Sequence, residues 1–477
     1  MGKREVANGA SKVIVMRLLK LLHSLIVFAL FCVCWFLFYR TEGIKPAYVR
    51  YNPLICAAYL VIHLSMYRIY QAYVIGYNRK TEIVYSQSLA DLISVGIIWV
   101  LDMMARSRWI NPVNYLALLA VQMVINIIWA NVAQRVYFKV NSPRRTILIY
   151  RNNNDLERLR EVYRFPEKFN VEKTLENPAD FEEIREAVEG FEAIVVAGIP
   201  ASLQNGVAKY CIQHSVYGYM APHIGDIIMM GANHVRQFSV PIINVRGTNP
   251  SPEYLILKRL FDIIVSLILI AVLSPLMLVI GIAVKICDGG PVLYKQVRLT
   301  RGGKKFRILK FRSMRTDAEK DGVARLSTGE KDSRITPVGR IIRACRLDEL
   351  PQLFNILGGS MSFVGPRPER PEIAEQYQKQ IPFDLRLQVK AGLTGYAQIY
   401  GKYNTNPYDK LQLDLIYINR MSIFEDMILM FATVAVLFKK ESTEGIREGG
   451  ITAASPDGQE ISVPDEDKEN AKDTRGE

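Results

Sequence analysis

Two adjacent carboxylates, Asp348 and Glu349, carry the strongest chemical signal in this chain of 477 residues. They stand just ahead of Pro351 and the apolar run Leu353-Phe354-Asn355-Ile356-Leu357. Proline is tolerated in the first turn of a helix, where its missing N–H has no partner anyway. The pair is therefore expected at a helix N-terminus, where free N–H groups and the positive dipole end favour an anion such as phosphate. Downstream, Gly365-Pro366-Arg367-Pro368 mounts one arginine between two prolines, a rigid support for a phosphate-reading guanidinium. The plainer reading is that Asp348 and Glu349 only cap the helix. Absences elsewhere count against it. No histidine follows His234, so none in the C-terminal half can serve as general base or metal ligand, and no cysteine there has a base beside it. An adjacent Asp-Glu pair can divide the work: one carboxylate attacks phosphorus while the other holds a hard divalent cation through oxygen.

Those residues need a platform, and the segment before them is basic. Lys295, Arg298, Arg301, Lys304, Lys305, Arg307, Lys310, Arg312 and Arg315 fall within a short stretch, with Gly302-Gly303 as a turn between two strands. Because this run adjoins a membrane segment and shares the chain with an acidic pair, anionic headgroups and a pyrophosphate suit it better than nucleic acid. The membrane segment is residues 263–286, free of charge as far as Lys285 and long enough to span a bilayer. Ser274-Pro275 sits at its centre, where proline removes a backbone hydrogen bond. A fifth crossing would carry the acidic pair outside. A helix-break-helix that dips in and returns keeps the basic flanks, Lys258 and Arg259 before and Lys285 and Lys295 after, on one face, and this is the arrangement expected.

Apolar segments at 19–39, 52–72, 86–104 and 112–132 open the chain, each close to the ~20 residues of a spanning helix. Lys3, Arg4, Lys12, Arg17 and Lys20 before them, and Arg135, Lys139, Arg144, Arg145 and Arg151 after them, argue for four crossings that start and finish in the cytoplasm. The first segment is too long for a signal-peptide core. Ser86, Asp91 and Asp102 inside the spans read as packing contacts rather than a transport path. With 49% hydrophobic residues and a net charge of +13, the composition suits a membrane protein with basic faces towards lipid. Cysteines 32, 34, 56, 211, 287 and 345 show no metal or disulfide spacing. Residues 146–245 read as Rossmann-like, with buried strands at 146–150 and 193–197 and a helix over Asp180–Val188. After the first strand comes Arg151-Asn152-Asn153-Asn154 instead of a glycine loop, so no dinucleotide site is expected there. That domain reads as structural, oligomerising or regulatory, which leaves a homo-oligomer open. Residues 423–438, with Glu425 and Asp426 near the start, read as an amphipathic helix in the interface or packed on the core. From Glu441 onward the chain is acidic and poor in aromatics, a disordered tail.

Four motifs in order resemble the bacterial sugar transferase family, the monotopic polyprenol-phosphate phosphoglycosyl transferases. They are Lys310-Phe311-Arg312-Ser313-Met314, Leu347-Asp348-Glu349-Leu350-Pro351-Gln352-Leu353, Gly365-Pro366-Arg367-Pro368 and Gly392-Leu393-Thr394-Gly395-Tyr396. The whole layout is similar to the large members that prime capsule and exopolysaccharide synthesis. The resemblance implies a membrane α/β protein. Four transmembrane helices lie within 1–140, a Rossmann-like domain over 146–245, a small α/β catalytic domain over 255–440 with its re-entrant helix at 263–286, and the tail over 441–477. It implies transfer of a sugar-1-phosphate from a UDP-sugar to undecaprenyl phosphate at the cytoplasmic face of the bacterial cell membrane, with release of UMP. Asp348 would be the nucleophile, Glu349 the Mg²⁺ ligand, and Lys310, Arg312 and Arg367, the last between Pro366 and Pro368, the phosphate-binding cations. Gly358 and Ser360 replace the family's usual basic and acidic residues, and Ala391 a common proline. Gly401-Lys402-Tyr403-Asn404 and Pro407-Tyr408-Asp409 would form a lid and sugar-facing region. The rivals are a membrane glycosyltransferase that releases UDP and a non-catalytic scaffold of polysaccharide export.

Overall fold

The computed structural model describes residues 3–40, 46–235, 242–245, 250–315, 334–401 and 406–437. The tail expected over 441–477 and the lid residues Lys402-Tyr403-Asn404 lie outside them. The chain forms two compact units. The first takes Met1–Tyr150, Leu156–Val196 and Val207–Tyr219; the second takes Arg151–Asp155, Ala197–Gly206 and Met220–Glu477.

Helices α1 (Lys3–Cys34, continued by a π-helical turn Trp35–Tyr39), α2 (Pro46–Ile69), α3 (Lys80–Arg106) and α4 (Val113–Val140) open the first unit. Among the described residues, four helices are long and apolar enough to cross a membrane: Lys12–Tyr39, Lys80–Arg106, Val113–Val140 and Pro252–Asp288. Three match the first, third and fourth expected spans. The second does not, because α2 carries Asn52, His63 and Arg68 and is less apolar. Asn52 and His63 turn inward, where Asn52 accepts from Trp35 Nε1 at 3.0 Å and His63 Nδ1 lies 3.4 Å from Asp91. Asp91 also accepts from Tyr67 and Asn126 at 3.2 and 2.8 Å, and Asp102 from Tyr51 and Arg106 at 3.0 and 2.7 Å. These carboxylates join helices through hydrogen bonds inside the bundle, as the packing reading expected.

A four-stranded sheet follows in the order β2-β1-β3-β4, built from β1 (Arg144–Tyr150), β2 (Phe169–Glu176), β3 (Ala193–Ala197) and β4 (Tyr217–Met220). β1 and β2 run parallel, and β3 is buried along its whole length. Between them come α5 (Asn153–Leu159), α6 (Phe181–Val188) and α7 (Ala201–His214), with Asp180 capping α6 by accepting from Glu183 N at 3.0 Å. Where a phosphate loop would sit, the Asn152 side chain accepts from Asp155 N at 3.0 Å. The buried Asp155 carboxylate abuts Gly198, where a Cβ would lie 2.0 Å from its oxygen. Helix α8 (Ile224–Met230) then seats Ile224 and Ile227 in the hydrophobic core of the second unit, and β5 (Asn233–Val235) pairs antiparallel with β6 (Ile242–Asn244).

The second unit is organised by α9 (Pro252–Asp288). The expected break at Ser274-Pro275 is absent as an interruption: the helix is continuous with Pro275 inside it. The reason is local. Pro275 has no N–H for the Ala271 carbonyl one turn back, and the Ser274 hydroxyl donates to that same oxygen at 2.9 Å. The two ends of α9 are both anchored. Near its start, Lys258 Nζ pairs with Asp426 at 2.6 Å, Arg259 donates to Ile356 O and Leu357 O at 2.7 Å, and Asp262 accepts from Ser362 Oγ and Phe363 N at 3.1 Å. Near its end, Ile280 and Val284 pack with Phe311, Ile342, Leu347 and Leu350. Side chains between these anchors, such as Leu267, Ile268, Val272 and Val279, are exposed.

β7 (Leu293–Leu299) and β8 (Lys305–Phe311) form the expected hairpin across Gly302-Gly303, both glycines at positive φ. Then come α10 (Pro337–Ala344), α11 (Gln352–Leu357), β9 (Ser362–Val364), α12 (Pro371–Gln378), β10 (Gly392–Thr394), α13 (Tyr396–Ile399), α14 (Pro407–Arg420) and α15 (Ile423–Leu437). Leu429 of α15 is fully buried, so that helix packs on the core. Tyr408 is also fully buried at the start of α14, so it does not face a sugar. β9 and β10 run parallel, and their backbones nearly touch: a Cβ on Gly392 would lie 2.1 Å from Gly365 N. Gly392→Ala should therefore cost about 1–3 kcal/mol through overpacking. Thermal unfolding of the detergent-solubilised chain should show a clear drop in midpoint, whereas Gly225→Ala, with open space around its Cβ, should leave the midpoint unchanged or raise it slightly.

Candidate active site

Strand β8 ends by presenting Lys310, and the chain returns through α10 to Arg346, which takes a left-handed conformation (φ 55°). That reversal starts a single 3-10 turn, Leu347–Glu349. Leu347 and Leu350 turn into the apolar cluster with Ile280, Val284 and Phe311. The acidic pair is thus pinned from both sides by half-buried leucines. This corrects the expected placement. Asp348 and Glu349 precede α11 rather than begin it; Pro351 is the N-cap, and neither carboxylate caps the helix. Six residues of helix are too few for the dipole to matter, and side-chain cations supply the positive field instead.

Glu349 Oε1 receives Lys310 Nζ at 2.8 Å, Arg367 Nη2 at 3.1 Å and Arg346 Nη1 at 3.8 Å. Burial alone would raise the Glu349 carboxyl, but the Lys310, Arg367 and Arg346 charges outweigh it and hold it well below the usual carboxylate range. Asp348 is different. It is 8% exposed and has no hydrogen bond or ion pair among the described residues. Burial first, and the Glu349 charge second, raise its carboxyl above the ordinary aspartate value, with Lys310, Arg343 and Arg346 pulling the other way. Two neighbouring carboxylates are therefore pushed apart, one saturated with cations and one without a partner.

Of the residues expected at the site, Lys310, Asp348, Glu349 and Arg367 come together. Pro366 and Pro368 flank Arg367 as expected, and their carbonyls accept from Gly392 N at 2.9 Å and Arg298 Nη1 at 3.1 Å. Arg312 does not join them: its buried guanidinium pairs with Asp288 at the end of α9. Ser274 and Pro275 lie in the bare stretch of α9, not among the catalytic groups. Ser360 O and Ala391 N both bond the Thr300 hydroxyl, at 2.9 and 3.2 Å, so the departures at 358–360 and 391 fall on a loop held by that threonine. Arg346 and Arg343 are the cations that sequence reading passed over. The signal was present, since Arg346 precedes Glu349 by three residues in Arg343-Ala344-Cys345-Arg346-Leu347-Asp348-Glu349.

No group of three or more His, Cys, Asp or Glu side chains is arranged for a metal among the described residues. Mg²⁺ does not need one, because it is commonly held by one or two carboxylates plus substrate phosphates. Lys310, Arg346 and Arg367 address Oε1 of Glu349, and a carboxylate carries a second oxygen of the hard type Mg²⁺ takes. The donor chemistry fits.

Residues 253–440 match the family described as Bacterial sugar transferase. The UDP-N-acetylgalactosamine-undecaprenyl-phosphate N-acetylgalactosaminephosphotransferase of Aeromonas hydrophila is 40% identical over 192 residues, 39% of this chain and 45% of that protein. The UDP-glucose:undecaprenyl-phosphate glucose-1-phosphate transferase of Klebsiella pneumoniae is 41% identical over 201 residues, 41% of this chain and 43% of that one. A protein of the same name from Caulobacter vibrioides is 36% identical over 212 residues, 43% of this chain and 79% of its own length. The chain belongs to the bacterial sugar transferase family. It spans less than half the length of the first two relatives.

The opposed environments of the pair can be read by titration. Infrared carboxyl bands, assigned with Asp348→Asn and Glu349→Gln, should place Asp348 above the ordinary value of about 3.9 and keep Glu349 ionised at about pH 4, where ordinary glutamates protonate. Asp348, raised on folding, makes the fold less stable as pH rises through its folded value. Glu349, depressed, contributes stability that is lost only as pH falls below the ordinary glutamate value towards its own. Lys310→Met should move the Glu349 band upward.

Proposed function

We propose that this chain transfers a sugar-1-phosphate from a UDP-sugar to undecaprenyl phosphate at the cytoplasmic face of the bacterial cell membrane, releasing UMP. The observation that carries the proposal is the pairing of a buried, partnerless Asp348 with a cation-saturated Glu349. The family's named relatives, called undecaprenyl-phosphate phosphotransferases for glucose and N-acetylgalactosamine, support the substrate class. An Asp348 oxygen attacks the β-phosphorus; a P–O bond forms, the bond to the bridging oxygen breaks, and UMP leaves with the electron pair. The lipid phosphate oxygen then attacks the same phosphorus, displaces the Asp348 carboxylate and yields a polyprenyl diphosphate sugar. Asp348 is suited to the attack because nothing has to be released from it first. Lys310, Arg343, Arg346 and Arg367 neutralise the charge that gathers on the phosphoryl oxygens. Glu349 would hold Mg²⁺ together with substrate phosphates, where the ion would neutralise the pyrophosphate. This would be the first committed step in building a lipid-linked polysaccharide such as an exopolysaccharide or capsule.

The proposal includes a re-entrant α9. A straight helix of 37 residues is about 55 Å long. Yet Arg259 bonds the carbonyls of Ile356 and Leu357, while Ile280 and Val284 pack on Leu347 and Leu350, just ahead in the same short stretch. Anchors so close together, with a bare apolar middle, support a helix that bends into the membrane and returns. Such a path presents lipid phosphate to the site at the membrane surface. Cysteines placed near Arg259 and near Lys295 should both react with impermeant reagent only from the cytoplasmic side. Labelling of the second position from outside would overturn this topology.

The chemical step has a sharper test. Incubated with a panel of UDP-sugars and no acceptor, the purified protein should release up to one UMP per active site and carry the phosphosugar on a peptide containing Asp348. Asp348→Asn should do neither and should lose turnover altogether, since a carboxamide is too poor a nucleophile to substitute. Glu349→Gln should lose most turnover and regain part of it at raised Mg²⁺. Full turnover without any adduct under rapid quench would remove the nucleophile role, and UDP as product would replace the reaction class.

A further inference from the structure

Arg367 lies between two residues that cannot donate a backbone hydrogen bond. With donors missing on either side, its carbonyls become important holding points, and two guanidiniums take them. Arg386 Nη2 donates to Arg367 O at 2.8 Å, and Arg298 Nη1 donates to Pro368 O at 3.1 Å. Neither arginine lies in the motifs that mark the family in the sequence. Arg386 is 4% exposed, lies 4.7 Å over the Phe383 ring, and is paired with Asp414 at 2.7 Å. Glu369 joins the two arginines, 3.6 Å from Arg298 and 3.9 Å from Arg386. Burial pushes the Asp414 carboxyl up to about 6, while Arg386 pulls it down, so the carboxylate depends on its guanidinium partner. The Arg367 side chain, in contrast, is 42% exposed and reaches Glu349 by one nitrogen at 3.1 Å. The backbone that carries it helps to set its aim.

We infer that Arg298 and Arg386, with Asp414 and Glu369 as their counter-ions, are positioning residues that hold the Pro366-Arg367-Pro368 backbone so that the Arg367 guanidinium meets the transferred phosphoryl group. The inference rests on the transferase reading for its consequence, but its structural half stands apart. One buried and one half-buried arginine, spaced to hold two successive carbonyls, are matched to planar, multi-point bonding, which lysine cannot reproduce even with its charge retained. Arg386→Lys therefore keeps the positive charge beside Asp414 and removes the grip.

UMP release would be measured for wild type, Arg386→Lys, Arg367→Ala and the double variant. Arg386→Lys should lower kcat on the order of 10- to 100-fold with a smaller change in KM, because the misplaced group serves the transition state. In the Arg367→Ala background the same change should cost less than about twofold, since its effect runs through Arg367. Arg298→Lys should behave alike. An equal loss in both backgrounds would overturn the inference. Hydrogen exchange of the 362–371 peptide gives a readout free of turnover: it should speed up in both lysine variants, and unchanged exchange would overturn the inference too. A wild type that turns over no UDP-sugar would count against the proposed activity, while the exchange result would still decide this one.

Discussion

The Glu349 carboxylate is the point at which three separate pieces of chain meet. Lys310 comes from the end of β8, Arg346 from the reversal after α10, and Arg367 from the loop after β9, and all three address one oxygen. The carboxylate is largely enclosed, so its charge is compensated only while these cations stay. The same hub sets the chemistry next door. Because the cations converge on Glu349, Asp348 is left buried and without a hydrogen-bond or ion-pair partner among the described residues, a carboxyl group placed in a positive field.

The apparatus around this hub makes it rigid. Leu347 and Leu350 bind the 3-10 turn to the last turns of α9, and Asp262 binds the first turns of α9 to β9. The apolar helix is thereby bonded on either side to elements that carry the site. Backbone contact between Gly365 and Gly392 brings β9 and β10 close enough for the arginine loop to reach Glu349. A side chain at either glycine would push that loop away.

The first unit shows a different use of polar residues. Asn52, Asp91, Asn126 and Asp102 lie inside the helical bundle and bond across it, so apolar side chains such as Leu25, Leu92 and Ile128 are left facing outward. Without a hydrophobic drive between helices in lipid, such bonds and close packing hold a bundle together.

Much of this was legible in the order of residues, and physical reasons separate what was from what was not. Apolar length marked the membrane helices α1, α3, α4 and α9, and short continuous apolar runs marked the buried strands β1 and β3, since these depend on local sequence. The hairpin at Gly302-Gly303 and the cap at Asp180 were readable for the same reason. The acidic pair, Lys310 and Arg367 were recognisable as charged groups whose spacing resembles a known family. Which charges would meet was not. Lys310 and Arg312 are two residues apart, yet one goes to Glu349 and the other to Asp288, a division set by where α9 ends in space. Ser274-Pro275 read as a break, but the serine hydroxyl takes the carbonyl that proline orphans, a compensation visible only once the rotamer is known. Sequence by itself determined the elements and the inventory of charge, because propensity and hydropathy act over a few residues. Tertiary structure alone decided that Glu349 would be saturated and Asp348 left free, because that choice depends on contacts between segments up to 39 residues apart.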